Sequence, residues 1–197
     1  MVPVPMDGGL ILASNHVSHF DPPLVALNFP RPVDWVAMSE LSSTWWSEAL
    51  FRLVNTIPIR RGAPDRAAMR EAAVRIEAGR VVGIFPEGGI RDGQASMLSG
   101  AAPLRGTALL ARMTGAPVIP CAIVGSDRLY NKRRWRPGNR APVWVALGEA
   151  LPPCRDDAEF SAELVRAITG LRDRILSEGG ACQEDLPRPP KERMAEV

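Results

Sequence analysis

Only two histidines occur in the 197-residue chain, and both lie in one stretch, Asn15-His16-Val17-Ser18-His19-Phe20-Asp21-Pro22-Pro23. His16 and Asp21 are the residue types that together can move a proton. Imidazole takes up and returns a proton near neutral pH. A carboxylate beside it fixes which ring nitrogen carries that proton and stabilises the imidazolium once it forms. Fully extended, the step from His16 to Asp21 would span about 17 Å, so the pair meets only if the chain folds back. The apolar run Leu10-Ile11-Leu12-Ala13 reads as a strand leading in. Asp21-Pro22-Pro23 reads as a helix start, with Asp21 at the N-cap and Pro22 at the first helical position. The same residues also admit a plain reading, a capping aspartate and a loop histidine.

Three further stretches carry chemistry: Asn55 to Gly62 (NTIPIRRG), Val81 to Gly93 (VVGIFPEGGIRDG) and Ala116 to Gly125 (APVIPCAIVG). In the second of these, Gly88, Gly89 and Gly93 let backbone approach a ligand closely, and Arg91 can grip a phosphate through two parallel N–H donors. Glu87 would repel a phosphate, so it is read as orienting an arginine or accepting from a substrate hydroxyl. Arg60 and Arg61 are read either as anion contacts or as ordinary surface charges. Two other chemistries are open to these residue types. His16, His19, Asp21 and Glu87 have the character of metal ligands, but a closed metal site needs more of them on rigid elements. Cys121 is a nucleophile by type, yet a cysteine in an apolar strand is usually a small buried residue.

The order and spacing of these four stretches resemble the four sequence blocks of the glycerolipid acyltransferases, the family of 1-acylglycerol-3-phosphate acyltransferase. The resemblance covers residues 10 to 130. It implies an O-acyltransferase in phospholipid biosynthesis, moving a fatty acyl group from acyl-CoA or acyl carrier protein to a lysophospholipid hydroxyl. In that case His16 is the general base and Asp21 its partner, and no cofactor is bound. Arg61 (or Arg60), Glu87, Gly88 and Arg91 are then expected to contact the acceptor, the arginines at its phosphate. One departure stands out: family members commonly carry arginine three positions after the glutamate, where this chain has Ile90, with Arg91 one later. Arg105-Gly106 stands where relatives often carry Lys-Gly. Other acceptors, glycerol 3-phosphate or a lyso-ornithine lipid, and a non-catalytic lipid-binding role are the alternatives.

The elements that must position these residues alternate. Strands are expected at 10–14, 33–38, 56–59, 81–85, 118–124 and 143–147. Helices are expected from Pro22 to Asn28, over 41–53 and from Pro64 to Ala78, then over 103–113. Phe160, Leu164, Ile168, Leu171 and Ile175 give the last helix one apolar stripe. Strands alternating with helices imply an α/β fold, layered, with a central, largely parallel or mixed sheet flanked by helices. Loops after the strands of such sheets hold the sites, which would gather His16, Arg61 and the Glu87 loop at one edge. Pro120 inside a strand suits an edge or a bend. Residues 1–178 read as one domain and 179–197 as a flexible Pro-rich tail.

Composition is ordinary for a globular chain, 46% hydrophobic and 23% charged. No apolar run reaches 18 residues, so no spanning helix is expected. The start has no signal-peptide pattern. Relatives commonly carry a helical segment before the first block, whereas only nine residues precede Leu10 in this sequence. Cys121, Cys154 and Cys182 show no disulfide or metal spacing, which favours a reducing compartment. The net charge of +2 hides an asymmetry, because Arg128 to Arg140 holds six basic residues and no acid, with Tyr130 and Trp135 among them. That segment suits an anionic bilayer surface, a phosphorylated co-substrate such as coenzyme A, or plain solvation. No zinc spacing, aromatic RNA-binding motif or long basic helix supports nucleic acid. Trp45, Trp46, Leu50 and Phe51 are a second candidate interfacial face. The expected location is peripheral, on the cytoplasmic face of the membrane.

Overall fold

The computed structural model describes residues 4–38, 56–59, 65–136, 138–153 and 155–195. Among them, six strands form one sheet: β1 (Leu10–Ser14), β2 (Val33–Met38), β3 (Ile57–Ile59), β4 (Val81–Ile84), β5 (Val118–Val124) and β6 (Trp144–Leu147). Their order is β3-β2-β4-β1-β5-β6. Every pairing is parallel except β5 with β6. The described helices are α1 (Asp21–Leu27), α2 (Arg66–Glu77), α3 (Gly106–Thr114), α4 (Asp157–Glu178) and α5 (Pro190–Ala195). Among the described residues, no helix is long and apolar enough to cross a membrane. The helix expected over 41–53, with its interfacial tryptophans, lies outside the described residues, as do Arg60, Arg61 and Cys154.

The central strands are continuous apolar runs because they are covered on both faces. All five residues of β1 and all seven of β5 are buried. Each fully buried Leu, Ile or Val contributes about 1.5–3 kcal/mol. α4 buries Phe160, Leu164, Ile168, Leu171 and Ile175, the stripe legible in its spacing. Asp156 caps that helix by accepting from the backbone N–H of Ala158 and Glu159, and Asp65 caps α2 in the same way.

Pro120 sits one strand in from the edge, and the pairing explains why it is tolerated. Its carbonyl accepts from Gly148 N at 2.9 Å, so its missing N–H would face β6. There the ladder is interrupted, between the Cys121–Leu147 pair and the isolated Val118–Leu151 bridge. The proline sits at that irregularity, where the ladder gives up a single donor.

The strand order creates the place for a site. The chain leaves β1 for β2 on one side, passing β4, and leaves β4 for β5 on the other, passing β1. The loops after β1 and β4 therefore diverge at the carboxyl ends of two adjacent strands, the position where open parallel sheets open a crevice.

The segment after Gly179 departs from the flexible tail expected of its prolines. Trp144 Nε1 donates to Gly179 O at 2.7 Å. Residues Pro190–Ala195 are helical, and Arg193 is buried against Asp127, Nε to Oδ2 2.6 Å. A buried aspartate at the sheet edge needs a cation, and the tail brings one.

Candidate active site

β1 hands over to the site through Asn15. Its Nδ2 donates to Ile123 O at 2.9 Å and its Oδ1 accepts from Ile123 N at 2.8 Å. The side chain thus continues the ladder to β5 one position beyond the point where the backbone turns away. That bonding satisfies a fully buried amide and fixes where the loop begins.

The fold-back required of His16 and Asp21 is present. His16 Nδ1 lies 2.8 Å from Asp21 Oδ2. The same oxygen accepts from Val17 N at 2.7 Å and Ser18 N at 2.8 Å, and Oδ1 accepts from the Ser126 hydroxyl. Asp21 is not the N-cap. Phe20 holds that position and makes no side-chain cap bond, while Asp21 is the first helical residue. One position inside the helix, its carboxylate reaches back over the loop instead of forward to the next turn. It organises donors on the 16–18 and 126 segments while its charge still suits the helix N-terminus. A carboxylate only accepts, so Nδ1 of a neutral His16 carries the hydrogen and Nε2 the lone pair. No described residue takes up Nε2, and the ring is 12% exposed.

The imidazole is also held by its face. It stacks on Phe85 at 4.0 Å between ring centroids, and Phe85 stacks on Trp35 at 4.7 Å. Trp35 is buried against β4 at Gly83, where a Cβ would lie 2.6 Å from the indole. The missing side chain of one strand residue thereby makes room for the stack behind the histidine.

Glu87 has a structural task. Its Oε2 accepts from His16 N at 2.5 Å, and its Oε1 accepts from Ser96 Oγ at 3.0 Å and Met97 N at 2.6 Å. Both oxygens are engaged by the protein and the side chain is buried, so Glu87 ties the β1 loop to the β4 loop. Burial pushes its carboxyl above the ordinary carboxylate range, and the bonds from Met97, His16 and Ser96 pull it partly back. Gly88 closes the same turn, N to Phe85 O 3.0 Å. Arg91 N donates to His16 O at 2.8 Å, while its guanidinium is exposed, with Nη1 donating to Ile90 O at 3.4 Å.

His16, Asp21, Glu87, Gly88 and Arg91 therefore converge as the loop argument requires. Sequence reasoning missed Asn15, Phe85 and Ser126. Ser126 follows Gly125, whose φ of 88° and whose approach to Pro142 O, 2.5 Å from an added Cβ, admit only glycine. The glycine that ends the fourth block, Gly125, with a serine directly after it, is the signal that could have found it. His19 stands at the exposed rim, its N donating to Tyr130 Oη at 3.1 Å. Cys121 is buried and its thiol is pushed up to about 12, chiefly by that burial, so it is not a nucleophile at neutral pH.

A buried aspartate steadying an exposed-side imidazole is a general-base arrangement, and the chain can be placed among known proteins. A family model described as Acyltransferase matches residues 2–124. This chain belongs to the acyltransferase family. It is 27% identical over 177 residues to the 1-acyl-sn-glycerol-3-phosphate acyltransferase of Bacillus subtilis (strain 168), covering 87% of this chain and 85% of that one. Its fold matches the crystal structure of the 1-acyl-sn-glycerophosphate (LPA) acyltransferase PlsC from Thermotoga maritima. The TM-score is 0.62 and the identity 23%, over 86% of this chain and 68% of that one. In this acyltransferase the matched span ends at the last residue of β5, so Ser126 and the tail lie beyond it.

Proposed function

We propose that the enzyme transfers a fatty acyl group from acyl-CoA or acyl carrier protein to the free hydroxyl of a lysophospholipid, 1-acylglycerol 3-phosphate first among them, in phospholipid biosynthesis. It works peripherally, at the cytoplasmic face of the membrane that holds its acceptor. The observation that carries this reading is the His16 Nδ1–Asp21 contact, which leaves Nε2 as a base.

A thioester is already activated, so the protein's work is to raise the nucleophilicity of an alcohol. His16 Nε2 takes the hydroxyl proton as the oxygen attacks the thioester carbonyl carbon. A C–O bond forms, the tetrahedral intermediate collapses, and the C–S bond breaks. The departing thiolate takes the proton from the imidazolium, so the enzyme returns to its starting state without an acyl-enzyme. Asp21 stabilises the charged ring while it lasts. The guanidiniums of Arg61 (or Arg60) and Arg91 hold the acceptor phosphate, which converts binding energy into orientation.

The test is a donor-by-acceptor matrix read by mass spectrometry. The expected result is transfer to 1-acylglycerol 3-phosphate, abolished in His16→Ala with the melting temperature retained. Full activity in that variant removes His16 from the chemistry, and activity confined to another acceptor replaces the substrate. Arg61→Ala should raise the acceptor KM more than it lowers kcat, and the opposite pattern would count against a phosphate contact.

A further inference from the structure

The segment from Ser126 to Arg140 lies beside the His16 site. Tyr130 Oη accepts from His19 N, and Phe20 packs against both Tyr130 and Trp135, with centroids 5.9 and 5.8 Å apart. The segment is a built structure. Two 3-10 turns, Ser126–Tyr130 and Lys132–Trp135, are joined by buried Asn131, whose Oδ1 accepts from Arg133 N at 3.0 Å. Asn139 Nδ2 donates to Arg133 O at 2.7 Å and Arg134 Nη1 to Arg140 O at 3.2 Å, closing the turn.

Its charges divide in two. Arg128 is drawn inward and paired with Asp185. Lys132, Arg133, Arg136 and Arg140 are exposed, Arg134 is half-buried, and among the described residues none of the five forms an ion pair. No acidic residue occurs from Arg128 to Arg140. Among them Trp135 is 64% exposed. Its indole N–H is already used, donating to Leu129 O at 2.9 Å. The face it offers the solvent is therefore purely apolar, which is unfavourable in water and suited to the headgroup region of a bilayer.

We propose that this loop docks the enzyme on an anionic lipid surface, with Trp135 entering the interface and the cations on the headgroups, so that the crevice beside His16 faces the membrane. An acidic carrier protein would be met by the cations alone and gives no role to an outward indole whose donor is satisfied within the loop. That the site should face lipid rests on the acyltransferase reading; the binding itself is measured without substrate.

The full chain is sedimented with phosphatidylcholine vesicles with and without phosphatidylglycerol. Binding is expected only with the anionic lipid and is lost at high salt. Each basic group removed lowers the partition coefficient about fivefold, so Arg133→Gln with Arg136→Gln lowers it roughly 25-fold. Trp135→Ala lowers it severalfold. Melting temperature and transfer to a water-soluble short-chain acceptor stay unchanged in the double variant. Undiminished binding by that variant overturns the proposal, as does absence of wild-type binding. A double variant that keeps its vesicle binding but loses turnover with acyl carrier protein assigns the loop to the carrier instead. Vesicle binding without any acyl transfer would leave the docking surface standing and remove the proposed reaction.

Discussion

Arg193 of α5 closes over Asp127, just beyond the end of β5, with Nε 2.6 Å from Oδ2 and the two side chains 2% and 0% exposed. Arg188 N donates to the same oxygen at 3.1 Å. Burial pushes the Asp127 carboxyl above the ordinary range, and these partners pull it partly back. Arg193→Ala leaves a buried carboxylate without its cation, a loss of about 3–5 kcal/mol. Pairing Asp127→Asn with Arg193→Met should regain most of it. Chemical denaturation of the wild type and both variants checks these statements, and an unchanged midpoint for Arg193→Ala would show that the tail does not hold the body.

Ser126 is the neighbour that links this clamp to the chemistry. Ser126→Ala leaves Asp21 Oδ1 buried and unpaired, which costs about 1–3 kcal/mol. If the same amount is lost at the transition state, kcat falls roughly 5- to 150-fold. The acceptor KM should hardly move, because Ser126 acts through Asp21. Ser126→Thr, which keeps the hydroxyl, should recover part of the rate. Steady-state kinetics separate this outcome from a general loss of fold.

Glu87→Gln turns an acceptor of three bonds into a group with a donor end, and one of its ends must then oppose an N–H. The expected cost is about 1–3 kcal/mol, with kcat lowered because His16 N is one of the partners. The pH dependence has a definite sign. The folded carboxyl titrates above its ordinary value of 4.5, so the folded state holds the proton longer. The stability linked to this group is full below that ordinary value and is lost as pH rises through the raised one. The stability gap between wild type and Glu87→Gln should therefore narrow over that window. Melting curves across mildly acidic pH measure it.

Cys121 and Cys182 should differ in reactivity. Cys182 is exposed, whereas Cys121 is buried with its thiol pushed up to about 12. A thiol reagent should modify Cys182 in the native protein and reach Cys121 only on unfolding. Cys121→Ala should keep acyl transfer at a modest cost in stability. Loss of transfer with the fold intact would reopen the nucleophile reading.

The sheet and the His16–Asp21 pair are legible because each is written locally. The apolar run of β5 and the spacing of Phe160, Leu164, Ile168, Leu171 and Ile175 report burial directly. What stays illegible depends on residues far apart in the chain. Asn15 is recognisable as a ladder residue only once Ile123 is beside it, and Asp21 needs Ser126 to show that it is no cap. Nothing local to Glu87 reveals that it ties His16, Ser96 and Met97 together. Prolines and charges make the tail read as solvated, and only the position of Asp127 shows why Arg193 is buried.

The strand order has a consequence for synthesis. Leu10 pairs with Val81, and Ile11 with Val118. β1 thus leaves the ribosome well before either of its neighbours, and such distant pairings form slowly. A nascent chain must carry a greasy, half-matched ribbon until β5 has emerged. A fragment that stops short of that point contains the whole histidine–aspartate motif and still has no way to give it shape.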